Sequence, residues 1–373
     1  MIALVQCVSL AAMLFGRHPD NGVMAGLTLV LLLAPLLPIQ GLGQIPAPRL
    51  LTWTAGAAVF LFGTGFYLHW RAADNAVSQS SFATIAMVGA FLFIGQSLLL
   101  AHGGRVRASY RALYQASWSI FIQLLFCGLC AVALWALWRS FPAISPAALV
   151  IMPIAASLIM AFVNGTALRR IEPGLTYVLT SCLPAAILVS VLEILFWSLT
   201  QRLPPLVLSS GIGVLTVTAI NASYRDGGWR PEWRRRLEFA GAVLLLPLVV
   251  LAALALQARV AQFGFTANRV LALALVLLLS AYALAYAGAA LISLGGGRAM
   301  ERLETGNLAI AFMAMSMLAM MVTPVADPVR LAVMEQSWRL THGAVAPAKF
   351  DYGWLRKSGL RFGHEALVRL GRP

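Results

Sequence analysis

The chain reads as an all-α, polytopic transmembrane helix bundle of about eleven spans with a short helical C-terminal tail. Three observations predict this. Of 373 residues, 60% are hydrophobic and 11% are charged, with a mean hydropathy of +0.84, whereas a soluble domain carries about 25% charged residues. The apolar residues are gathered in long runs, and about 20 helical residues cross about 30 Å of hydrocarbon. None of the runs looks like a strand, and lipid requires backbone groups to be satisfied within each segment, so helices follow.

Taken in order, the first run, 2–16, has no basic start before its apolar core and is followed by Arg17. It reads as a short first span rather than a cleaved leader. The second, 23–41, contains the sequence PLLP. The runs 50–70, 80–101, 116–138, 146–168, 175–199, 205–222, 239–258, 269–294 and 307–323 complete the eleven. Cys7, Cys127, Cys130 and Cys182 all lie inside apolar runs. The C-x-x-C spacing at 127–130 falls mid-helix, with no cation or helix start to favour a thiolate, so these cysteines read as small buried side chains.

Beyond Pro324 the character changes, which divides the chain into a bundle, 1–323, and an extramembrane amphipathic tail, 324–373. Asp327 is placed to cap a helix that starts with Pro328 and closes before Gly343. Leu331, Met334 and Trp338 share one face of it, and two short basic helical pieces follow. So short a tail cannot form a large core or house an enzyme, so it packs on the bundle or lies on the membrane surface.

The net charge of +14 comes from arginines dispersed between apolar runs. That distribution argues against nucleic acid and for orientation signals and anionic lipid headgroups. Alternating loops hold thirteen basic residues on one side and six on the other. Positive-inside then places the N-terminus in the cytoplasm and the tail in the periplasm, although the tail's own eight basic residues pull the other way. Arg234, Arg235 and Arg236, beside Trp229 and Trp233, read as contacts to anionic lipid at the inner face. The preference for Arg over Lys, with abundant Ala, Leu and Gly, fits a GC-rich bacterial genome.

Two sets of polar residues stand out. Glu193 is the one acid inside a predicted span, and a carboxylate in lipid calls for a partner. Its span ends on the same side as the loop ARVAQFGFTANRV, which offers Arg259, Gln262 and Arg269, so Glu193 is expected to pair with one of the two arginines. In that loop Gly264 permits the turn and Thr266 can cap the helix beginning at Ala267. The second set, Gln96, Gln123, Asn164, Asn221 and Asp226, gathers toward the cytoplasmic ends of the spans. It is either an inward-opening polar cleft or a series of separate interhelical hydrogen bonds, the latter favoured.

The sequence contains no H-E-x-x-H, P-loop or G-x-S-x-G, and its five histidines lack ligand spacing. No catalytic residue, metal ligand or cofactor is therefore assigned.

Three stretches carry a resemblance: INASYRDG at 220–227, ARVAQFGFTANRV at 258–270, and the tail from Asp327 through FDYGWLR and GHEAL to Leu367. Over the C-terminal half the chain resembles DUF4153, an uncharacterised family of polytopic bacterial inner-membrane proteins. The resemblance implies a multi-span inner-membrane protein and brings no reaction with it. Phe263 and Phe265 stand where the family more often has Tyr and Trp, and the tail stops soon after the last motif.

Three functions compete. The leading one is a transport or translocation component, or an envelope-associated factor, with Glu193 and the amides on a pathway. The second is an interfacial enzyme or binding protein for a lipid-linked anionic precursor, using Arg259, Gln262 and Arg269. The third is a structural or regulatory subunit of a membrane complex, with the tail and hairpin as docking surfaces.

Overall fold

The computed structural model describes residues 22–41, 43–72, 79–102, 112–123, 167–202, 205–224, 231–294 and 299–371. Among them are helices, turns and coil, and no strand. Among the described residues eight helical segments, the first joining Gly22 to Gly41, are long and apolar enough to cross a membrane, and they coincide with eight of the predicted runs. The run 2–16, most of 116–138 and of 146–168, and the residues Asn164 and Asp226 lie outside the described residues.

The chain divides into two compact units, Met1–Glu172 and Pro173–Pro373. In the first, α1 (Gly22–Leu33) ends where Pro35 withholds the backbone N–H that would continue the helix, and α2 (Leu36–Gly41) resumes after the turn. Helix α3 (Ala47–Arg71) then packs on α1. Their approach depends on small residues: a Cβ at Gly65 would lie 2.6 Å from the Ala25 carbonyl oxygen and 2.8 Å from Gly26 Cα. Helix α4 (Gln79–His102) and the helical stretch 112–123 complete the described part.

The second unit is entered along α5 (Ala167–Thr200), followed by α6 (Leu206–Tyr224), α7 (Glu232–Phe263), α8 (Ala267–Leu294) and α9 (Ala299–Met321). Helix α7 packs on both α6 and α8, and α8 also on α9. Leu183, Ile220, Leu245, Leu279, Ala283 and Tyr286 lie in the core between them. Small side chains such as Ala219, Ala252 and Ala283 let these helices approach closely, and packing rather than water exclusion holds helices together in lipid. The end of α5, the start of α6 and the α7–α8 turn lie at one end of this unit, and the end of α6, the start of α7, the end of α8 and the start of α9 at the other.

The tail is part of this same compact unit. Helix α10 (Pro328–Thr341) packs on α8. Fully buried Asp327 caps it, accepting from the Val329 N–H at 2.7 Å and the Arg330 N–H at 3.2 Å. Helices α11 (Tyr352–Ser358) and α12 (Leu360–Arg369) follow, the first capped by Asp351 and the second packed on α10. They meet backbone to backbone, because a Cβ at Gly363 would lie 2.1 Å from the Leu355 carbonyl oxygen. Leu355, Ala366 and Leu367 are buried, so these positions of the resemblance are accounted for by packing.

Candidate functional site

The α7–α8 turn is built on Gly264, whose φ of 71° and ψ of −175° suit glycine alone. Thr266 opens α8 with its carbonyl, which accepts from the Arg269 N–H at 2.9 Å and the Val270 N–H at 3.0 Å. The last turn of α7 leaves carbonyl groups without partners in their own helix. Helix α10 brings donors to this end, although the Val260 carbonyl also accepts from the Gly264 N–H at 2.7 Å. Arg339 Nη1 donates to the Val260 carbonyl at 3.0 Å and its Nη2 to Ala261 at 3.3 Å. Gln336 Nε2 donates to the carbonyls of Phe263, at 3.0 Å, and Phe265, at 2.9 Å. Glu335 Oε2 accepts from the Phe265 N–H at 2.8 Å. Any side chain on Gly264 would enter this clasp, its Cβ falling 2.4 Å from Gln336 Nε2 and 2.9 Å from both Arg339 Nη1 and Glu335 Oε2.

The arginines of the turn cluster around the same contact. Arg269 is half-buried, donates to the Gly264 carbonyl at 2.6 Å, and lies over the Phe263 ring, 5.3 Å from its centroid. It lies within electrostatic reach of Arg259, Arg339 and Glu335. The carboxylate of Glu335 is 3.8 Å from Arg339. Arg259 and Gln262 are exposed.

The expected ion pair of Glu193 with Arg259 or Arg269 does not form. Glu193 is buried on α5, and its Oε2 accepts from Ser209 Oγ of α6 at 2.7 Å. The acid beside Arg269 is Glu335, from a helix that the sequence presents as part of a separate tail.

The amides are engaged in hydrogen bonds within their own units. In the first unit Gln96 accepts from Trp53 Nε1 at 2.9 Å and donates to the Leu37 carbonyl at 3.1 Å, while Gln123 accepts from Gln40 at 3.1 Å. In the second, Asn221 belongs to a cluster drawn from α6, α8 and α9. Tyr286 Oη lies 2.6 Å from Asn221 Oδ1 and 2.8 Å from Asn307 Oδ1, and Asn307 Nδ2 donates to Asn221 Oδ1 at 3.0 Å. Sequence reasoning missed Tyr286 and Asn307. It also stopped α7 short of Glu238, a half-buried acid that accepts from Ser223 Oγ at 2.5 Å. Tyr286 was detectable as a hydroxyl in the middle of an apolar run, where an unpaired donor is costly.

Set against protein-family models, curated proteins and solved structures, the chain matches none. Among the described residues no three or more His, Cys, Asp or Glu side chains gather as a metal site. What the hairpin offers chemically is a concentration of fixed positive charge on a rigid support.

Proposed function

We propose that this is a bacterial inner-membrane protein of about eleven spans, related to DUF4153, that binds the anionic headgroup of a lipid or lipid-linked envelope precursor at the α7–α8 hairpin. The eight apolar helices mark a membrane protein. The observation that supports the finer reading is the charge at the clasp: Arg269 lies within electrostatic reach of two further arginines, Arg259 and Arg339, and of one carboxylate, Glu335. Like charges held together on a rigid turn favour an added anion, and guanidiniums match phosphate in geometry. Arg259 and Gln262 are exposed to receive it. The outward stripe of Leu331, Met334 and Trp338 on α10 supports placement of this end at headgroup depth, where such side chains partition.

In this reading the hairpin and tail face the periplasm and the N-terminus the cytoplasm. Arg234, Arg235 and Arg236 then meet anionic lipid at the opposite surface. A C-terminal alkaline phosphatase fusion should be active.

Binding is tested by titrating the purified protein, in detergent, with phosphatidylglycerol and phosphatidylcholine of matched chains, counting bound lipid by native mass spectrometry. Phosphatidylglycerol should be preferred. Arg259→Ala should weaken that preference about fivefold, since one basic side chain near an anionic surface contributes about 1 kcal/mol. Equal binding of the two lipids, or a preference indifferent to Arg259→Ala, would falsify the proposal.

A transport or translocation role is the second reading, and one observation favours it: Glu193 is a buried acid facing a second helix inside a membrane-length segment.

A further inference from the structure

Most of the polar side chains buried in the described spans have their needs met by a neighbouring helix or by their own backbone. Glu193 does not. It is 5% exposed, and of its two oxygens only Oε2 has a donor, Ser209 Oγ at 2.7 Å. Among the described residues Oε1, which is buried, has no hydrogen-bond partner. No cation among the described residues is paired with this carboxylate. Between Pro173 and Thr200 α5 carries no other charged side chain, and α6 carries none. Helix α7 brings Glu232, Arg234, Arg235, Arg236 and Glu238 at its far end and Arg259 at its near end, and Arg259 is exposed rather than turned inward. Ser190, one turn before Glu193, gives its hydroxyl to the Ala186 carbonyl at 2.8 Å and so is not a second donor. A single neutral hydroxyl is far too little to hold an ionised carboxylate out of water.

We infer that Glu193 is a proton-binding site: a proton on the carboxyl, rather than an arginine, neutralises this group inside the bundle. The requirements of an alkali-metal ion are harder to meet here, because such an ion takes several oxygen ligands and Glu193 has one hydroxyl within hydrogen-bond distance. Ser209 acts as the positioning residue. Its hydroxyl donates to Oε2 and so holds the carboxyl toward α6. The site lies about two turns from the end of α5 that leads into the α5–α6 turn, a short path for a proton from that surface. The inference is independent of headgroup binding at the hairpin.

The test is reaction of the full-length protein in detergent with N,N′-dicyclohexylcarbodiimide, an apolar reagent that requires a protonated carboxyl. The acid proton passes to a carbodiimide nitrogen and the carboxylate oxygen adds to the central carbon. The adduct rearranges to an N-acylurea retaining every atom of both partners. Peptide mass mapping should find one added reagent on Glu193, with labelling that falls as pH rises and is unchanged by sodium or potassium chloride at constant ionic strength. Ser209→Ala should increase labelling severalfold at fixed pH, a response that loss of packing alone would not confine to this peptide. Glu193→Gln should remove it. If Glu193 stays unmodified at every pH while other carboxyl groups react, the inference fails. Protection by sodium at constant pH also overturns it, in favour of a metal-cation site.

Discussion

At one end of the second unit, three side chains of α10 hydrogen-bond to the backbone of a hairpin. Toward the other, Asn221, Tyr286 and Asn307 hydrogen-bond to one another across three helices. Both arrangements answer the same demand, that polar groups at or below the membrane surface find partners. They answer it with different consequences. The hairpin contact ties the tail to the bundle and relies on backbone carbonyls that any sequence would present there. The cluster relies on three particular side chains and ties together helices that already pack through apolar groups. The clasp should therefore be sensitive to shape and the cluster to chemistry, and substitutions can separate the two.

The largest effect belongs to Gly264→Ala. Its φ of 71° with extended ψ costs an alanine about 1–3 kcal/mol in backbone strain. The added methyl also displaces Gln336 and Arg339. Together these should destabilise the second unit by about 3 kcal/mol or more. The measurement is thermal unfolding in detergent alongside limited trypsin digestion. The tail should become cleavable at Arg339 well below the melting temperature of the bundle. If the tail stays protected, α10 is held by its apolar contacts with α8 and the clasp is incidental.

Gln336→Ala is a smaller perturbation of the same contact. It removes two donors from the Phe263 and Phe265 carbonyls and leaves the turn unstrained. A loss of about 1–2 kcal/mol follows from two hydrogen bonds at a partly exposed site. Tryptic release of the tail should accelerate about tenfold, which corresponds to about 1.4 kcal/mol in the opening equilibrium.

Tyr286→Phe probes the other end. It deletes the hydroxyl and leaves the Asn307–Asn221 bond of 3.0 Å in place. Because interhelical hydrogen bonds in membranes average about 0.6 kcal/mol, the expected cost is about 1 kcal/mol, without release of the tail. Tail proteolysis at the wild-type rate, with a lowered melting temperature, would separate the two regions as the comparison requires.

These regions also differ in how far the sequence revealed them. The turn at Gly264, the start of α8 after Thr266, the Asp327 cap and the Gly343 stop are local chemistry, and local chemistry is legible. The eight membrane-length helices were legible from hydropathy. The partners of Asn221 were not, because Tyr286 and Asn307 are 65 and 86 residues away and nothing local links them. The docking of α10 was hidden for another reason. Its visible apolar stripe, Leu331, Met334 and Trp338, faces outward, while Val329, Ala332 and Val333 are buried on another side. In a soluble protein the larger stripe would be the packed one. Beside lipid that preference disappears, because tails solvate large apolar side chains as well as a core does. Small residues and hydrogen bonds then choose the face. The same argument explains why Glu193 was assigned the wrong neighbour: charge complementarity suggested an arginine, but Glu335, from the helix that hydropathy would have turned the other way, already lies beside Arg269.

The smallest effect comes from a contact that looks the same on paper. Glu335 with Arg339 and Arg361 with Glu365 are both acid–base pairs four residues apart on tail helices. The second is the closer, at 3.0 Å against 3.8 Å. Its side chains are 47% and 49% exposed, however, whereas Arg339 is 13% and Glu335 25% exposed. Solvent screening and side-chain entropy reduce an exposed pair of this kind to a few tenths of a kcal/mol, and here the base precedes the acid, the weaker order on a helix. Glu365→Ala should therefore change stability by less than about 0.5 kcal/mol, and that change should vanish in high salt. Glu335→Ala should cost several times more at any ionic strength, because it strands the Phe265 N–H and leaves Arg269 and Arg339 without their acid. Comparing melting temperatures of the two variants at low and high salt checks both expectations. Equal effects would mean that the short separation, rather than the backbone the pair holds, governs the strength of these contacts.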